Sequence, residues 1–104
     1  MFALVVRFNL HAEATAAFDE LVAETVKGII EHEPGTLVYA THTVEGEPLA
    51  RVFYEVYADR AAFEEHERQP HTKHFLSKRE EFVDSFRVEF LSPASDKGLP
   101  RSAS

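Results

Sequence analysis

The sequence predicts an α+β domain of the ferredoxin-like type: βαββαβ, with a four-stranded antiparallel sheet and a split second helix. Three observations carry this expectation. Four short segments have strand character, at residues 2–10, 36–44, 49–57 and 86–91. One long segment, 13–32, repeats its apolar residues every three or four positions. Between the third and fourth strand segments, Pro70 interrupts a second helical stretch.

Phe2, Leu4, Val6, Phe8 and Leu10 alternate with Ala3, Val5, Arg7 and Asn9, as a strand's period of two requires. From Glu13 to His32, the residues Phe18, Leu21, Val22, Thr25, Val26, Ile29 and Ile30 mark one face of an amphipathic helix, with Glu20, Glu24, Lys27 and Glu31 between them. Glu33-Pro34-Gly35 stops it, because proline disfavours a helical predecessor and glycine permits a turn. Thr36–Val44 and Leu49–Tyr57, joined by Glu45-Gly46-Glu47-Pro48, read as a β-hairpin. Asp59 is suited to cap a short helix through Glu67, and a second helical piece runs from about His71 to Ser85. Phe86–Leu91 completes the sheet. The domain spans 1–92, and 93–104 form a polar tail without periodicity.

Helices on one face of a four-stranded sheet leave the other face open. That face is not polar here: Val38, Ala40 and Val44 in the second strand and Val52, Tyr54 and Val56 in the third oppose the side bearing Tyr39, Phe53 and Tyr57. Leaving such side chains in water costs roughly 1.5–3 kcal/mol each, so a second copy is expected to cover them in a sheet-to-sheet homodimer.

Composition narrows the function classes. With 104 residues, the chain has room for one core. The absence of cysteine removes thiolate catalysis, disulfides and sulfur-ligated metals. A net charge of −7 repels polyphosphate, so nucleic acid is not an expected partner. No apolar run approaches the ~20 residues of a membrane span, and the N-terminal run is too short for a secretory signal, so no membrane is expected and the expected location is cytoplasmic. There is no Gly-rich phosphate loop, G-x-S-x-G elbow or HExxH motif.

Glu33 to Tyr39, Phe53 to Tyr57, Ala62 to His66 and Pro70 to Phe75 occur in an order and spacing that resembles the antibiotic biosynthesis monooxygenase family over about residues 2–91. The resemblance implies a dimeric α+β barrel with a pocket between each sheet and its own helices. It also implies a cofactor-independent monooxygenase acting with molecular oxygen on a small quinol-like or polyphenolic aromatic substrate. Haem-degrading relatives use an Asn in the first strand with a Trp and a His; Asn9 is present, but the chain has no Trp. Asn9-Leu10-His11 and Pro70-His71 look like the isomerases of a phosphorylated dicarbonyl from autoinducer-2 breakdown. That alternative needs cations near the phosphate, with Arg51, Lys73 and Lys78 as candidates. A non-enzymatic small-ligand binding module is the third reading.

Oxygenation without a cofactor requires a base, a dry pocket and hydrogen bonds to a phenolate. Histidine suits the base. His66 lies three residues after Phe63 on a helix, and His71 begins the next helix, so these two are the candidate bases; the alternative is that both are buried histidines held by backbone. Glu55, set among aromatics, is a candidate proton acceptor with a raised pKa, unless Arg51 on the same strand face pairs with it. Tyr39, Phe53, Tyr57, Phe63 and Phe75 are the candidate walls, core packing being the alternative for the phenylalanines. Asn9, His11, Arg51 and His74 complete the substrate-binding candidates. Metal ligation by His66, His71 and His74 is set aside, because Pro70 separates the first from the others and no acid completes a known motif. No metal or cofactor is expected.

Overall fold

The computed structural model describes residues 1–100. Its elements follow the order β1 (Phe2–Leu10), α1 (Thr15–His32), β2 (Thr36–Val44), β3 (Glu47–Tyr57), α2 (Arg60–Arg68), α3 (Pro70–Phe82) and β4 (Val83–Leu91). The strands form one antiparallel sheet in the order β2-β3-β1-β4, the ferredoxin-like arrangement with the second helix split.

Leu4, Val6, Phe8 and Leu10 of β1 pack with Phe18, Leu21 and Val22 of α1 and Phe75 of α3, so the helices share one side of the sheet. Phe8 lies at the centre, its ring 5.4 Å from Phe18, 4.8 Å from Phe53 and 6.0 Å from Phe75. On the other side, Ala3 and Val56 are buried, and Val5, Val38, Ala40, Val52 and Tyr54 are half-buried in the single chain. Polar residues Arg87 and Glu89 mark the β4 edge of that side, where they pair with each other.

Several boundaries differ from expectation for local reasons. The hairpin turn is only two residues long: Val44 faces Glu47, and Gly46 takes φ +77°, a conformation that favours glycine. Pro48 therefore lies within β3, at a register shift and beyond the segment paired with β1, where its missing N–H costs nothing. The last helix ends at Phe82 rather than Ser85, because Val83 pairs with Leu10 across an irregularity in the β1–β4 ladder.

Asp59 caps α2 by accepting the Ala62 backbone N–H at 2.8 Å. Gln69 is extended between α2 and α3, and Pro70 takes the first position of α3, where no N–H is required. Gly35 has no positive φ; its small size is what matters, since a Cβ there would lie 2.7 Å from the Ala62 Cβ. The close approach seats α2 against the turn between α1 and β2. Residues 92–100 carry no helix or strand, and 101–104 of the predicted tail lie outside the described residues. Among the described residues, no helix is long and apolar enough to cross a membrane.

Candidate active site

The break between α2 and α3 brings two histidines to one carboxylate. Glu33 is the C-terminal cap of α1, and its side chain turns inward until only 2% of it is exposed. Its Oε1 accepts the Thr36 hydroxyl at 2.7 Å and the His66 Nδ1–H at 2.8 Å, while its Oε2 accepts from the His71 Nε2. Burial alone would raise this carboxyl; the hydrogen bonds from Thr36 and His71 and the attraction of His66 outweigh it and hold Glu33 below the ordinary carboxylate range. The acid is therefore ionised at neutral pH, and both rings must present N–H groups to it.

That assignment fixes the His66 tautomer. With Nδ1–H given to Glu33, the Nε2 carries the lone pair. Burial pushes the His66 pKa below its usual value, against the pull of Glu33, so the ring is neutral at pH 7. Among the described residues, no buried side-chain nitrogen or oxygen lacks a partner. Nε2 makes no hydrogen bond among the described residues, so it keeps open surface, and that surface is the cavity whose wall His66 forms.

The cavity, about 170 Å³, lies between the sheet and the split helix. Leu4, Val6, Phe8, Phe53, Phe63 and Phe75 make most of its wall, and Leu76, Val88 and Phe90, all at least 38% exposed, form its apolar rim. Tyr39 and Phe63 approach the His66 ring at 5.6 and 6.4 Å between centroids. Tyr57 lies beneath, fully buried and 5.3 Å from the same ring. Burial, then the charges of Glu55 and Glu33, push the Tyr39 phenol well above its usual pKa, so its O–H remains a donor.

Glu55 is the other acid in this wall. Tyr57 donates to it at 2.6 Å, but burial dominates and, with repulsion from Glu33 and Glu67, pushes its pKa up to about 7. A carboxyl raised on folding binds protons more tightly in the native state, so its contribution favours folding at low pH and is lost as pH rises from the unfolded value to about 7. The Glu55 contribution to wild-type stability should accordingly fall between about pH 5 and pH 8, by on the order of 3 kcal/mol. Thermal melts of Glu55→Gln should lack this part of the slope; an identical pH dependence in both proteins would show that Glu55 does not titrate there.

The structure brings together His66, Glu55, Tyr39, Phe53, Phe63 and Phe75 around one cavity, with Tyr57 behind them. His71 joins only through Glu33. Its ring packs on α1, within 2.6 Å of where a Cβ on Gly28 would lie, and is stacked 6.4 Å from His32. Four other candidates lie elsewhere. Asn9 is on the opposite sheet face, donating to Ser85 at 3.0 Å. His11 is exposed in the loop after β1, 3.9 Å from Asp84. Arg51 does not pair with Glu55: α1 places Asp19 over it, giving two hydrogen bonds of 2.8 and 3.0 Å. His74 is on the outward side of α3, beside Glu20 and Lys78 of an outer groove. Lys73 is exposed, so none of Arg51, Lys73 and Lys78 lines the cavity.

Glu33 was not anticipated as a site residue; the sequence reads as a helix stop there. One signal was available: an acid at a helix C-terminus is opposed by the dipole and needs donors from elsewhere. Among the described residues, no group of three or more histidines, cysteines or acids is arranged to hold a metal ion.

Comparison with solved structures supports the fold throughout. A Bacteroides thetaiotaomicron VPI-5482 protein, provisionally named an antibiotic biosynthesis monooxygenase, superposes with a TM-score of 0.87 at 23% identity, covering 97% of this chain and 95% of its own. A Shewanella oneidensis protein gives 0.79 at 27% identity, covering 86% and 87%. A Mycobacterium tuberculosis protein gives 0.84 at 22% identity, covering 93% and 98%. None of the curated proteins is similar enough to match. The family model described as antibiotic biosynthesis monooxygenase matches residues 1–78, which hold β1 to β3, α2 and the cavity-facing residues of α3 up to Leu76. The chain belongs to the antibiotic biosynthesis monooxygenase family.

Proposed function

We propose that this protein is a cofactor-independent monooxygenase acting on a small quinol-like phenol, with His66 as the base. The observation that supports the reading most directly is the free Nε2 of a neutral, carboxylate-oriented histidine facing an aromatic-walled cavity. An apolar cavity of roughly 150 Å³ holds one benzene ring, so about 170 Å³ suits a single-ring substrate.

In this scheme Nε2 takes the phenolic proton while Glu33 stabilises the imidazolium that results. The phenolate gives one electron to oxygen, and superoxide and the phenoxyl radical combine to form a C–O bond. The proton returns to the peroxide, and the ring carbon bearing both hydrogen and the hydroperoxide loses water to leave a carbonyl. For 1,4-hydroquinone the balance is one quinol and one oxygen to one hydroxyquinone and one water. The Tyr39 hydroxyl and a protonated Glu55 are donors for the anion that forms.

Oxygen uptake with a panel of substituted hydroquinones, with the quinone product followed in parallel, tests this. Uptake no faster than the uncatalysed rate across the panel would end the proposal. The isomerase alternative loses support because its candidate cations lie outside the cavity.

The apolar outer side of the sheet is proposed to meet its counterpart on a second copy. Light scattering at micromolar concentration should give twice the chain mass, and Tyr54→Lys, at the centre of that side, should shift it towards monomer. A monomeric wild type would remove this assembly.

A further inference from the structure

The rim of the cavity holds a cation with no anionic partner among the described residues. Of the arginines among the described residues, Arg7, Arg51, Arg68 and Arg87 each face a carboxylate at 2.8–2.9 Å. Arg60 and Arg79 do not: Arg60 lies 4.9 Å over the Phe2 ring and does not line the cavity, whereas Arg79 does, its guanidinium 4.2 Å over the Phe86 ring of an adjoining groove that it shares with Glu80 and Asp84. In a chain with 18 acidic against 11 basic residues, Arg79 is the arginine that both lacks a carboxylate partner among the described residues and lines the cavity. Stacking on Phe86 orients the guanidinium while leaving its N–H edge free for a planar anion.

Arg79 shares one side of α3 with Thr72, Phe75 and Leu76, all cavity residues at helical spacing. Thr72 is beside the His66 ring, 3.4 Å from Nδ1. Seven residues at 1.5 Å each separate Thr72 from Arg79 by roughly 10 Å along the axis, and a helical side chain leans back towards the N-terminus. One benzene ring with a hydroxyl at the His66 end and a carboxylate at the other fits that span. Glu67, on α2, also lines the cavity and would repel an anion on its own side. The anionic group is thereby confined to the side of α3 and β4.

We propose that Arg79 determines specificity by binding an anionic substituent, so that the substrate class is a single-ring phenol bearing a carboxylate. This deepens the proposed function and rests on it for the hydroxyl end of the ligand.

The test is a binding measurement under anaerobic conditions, which does not depend on turnover. Isothermal titration compares 2,5-dihydroxybenzoate with its methyl ester, which keeps the ring and both hydroxyls but loses the charge. Wild type should bind the acid about ten- to a hundredfold more tightly. In Arg79→Gln the ratio should collapse towards one, and Arg79→Lys should restore part of it. Should the Gln variant fail to fold, the wild-type ratio should still fall when salt is raised to screen the half-buried pair. Equal binding of acid and ester by wild type, binding of neither, or a preference that survives both Arg79→Gln and high salt would each overturn the assignment. If the acid is preferred yet no hydroquinone consumes oxygen, Arg79 keeps its role and the oxygenase reading fails instead.

Discussion

Replacing His66 with alanine should lower kcat/KM for phenol oxygenation by about a hundred- to ten-thousandfold, the range expected when a positioned general base is removed. Thr72 and Glu55 do not replace it, because a threonine hydroxyl is too weak a base and Glu55 is half protonated at neutral pH. His71→Ala should cost less, since that ring acts through Glu33 and does not line the cavity. The pH profile gives a second reading. Activity should decline on the acid side below the ordinary histidine value, as His66, whose pKa burial has lowered, becomes protonated. It should decline again above about pH 7, as Glu55 ionises and places a negative charge beside the forming phenolate. Glu55→Gln should remove the alkaline limb alone. Initial rates from pH 5 to 9 for wild type and Glu55→Gln decide it, and an alkaline limb that persists in Glu55→Gln would exclude the second role.

The second large effect concerns stability. Glu33→Ala removes one acceptor from three donors at once: Thr36, His66 and His71. Breaking a buried, hydrogen-bonded ionic site of this kind costs about 3–5 kcal/mol, a large part of a small domain's total. Glu33→Gln, which keeps the volume and one carbonyl acceptor, should lose less. Because the native carboxyl is held below its unfolded value, its contribution is present above about pH 4.5 and disappears as pH falls through the lowered pKa. Urea denaturation at pH 7 and pH 3 should therefore show a wide gap between wild type and Glu33→Ala at the first and a narrow one at the second. Equal gaps would mean that the ionised form is not what stabilises the site.

The fold was legible because each element declares itself locally. β1 alternates, α1 has a continuous apolar face, and Pro70 can only begin a helix or break one. The places that eluded sequence reasoning are those where pairing overrides propensity: Val83–Ser85 continue a helical stretch in composition, but are taken by β1. The walls of the site followed from strand parity, since Tyr39, Phe53 and Glu55 must share the face that Leu4 and Val6 point towards. Its electrostatics did not. Glu33 is 33 residues from His66 and 38 from His71, and no spacing rule joins them. Arg51 failed for the same reason: its partner, Asp19, arrives from a helix that only tertiary packing places there.

The ring of His71 occupies the space that a side chain at position 28 would need. The two positions are thus mutually exclusive in volume, and Gly28→Ala should behave as a lesion of the histidine and carboxylate cluster although it adds only a methyl group. Across homologues, an imidazole at 71 and a bare backbone at 28 should be inherited or lost as a unit. A designer transplanting this buried acid to another scaffold would have to carry the glycine with it.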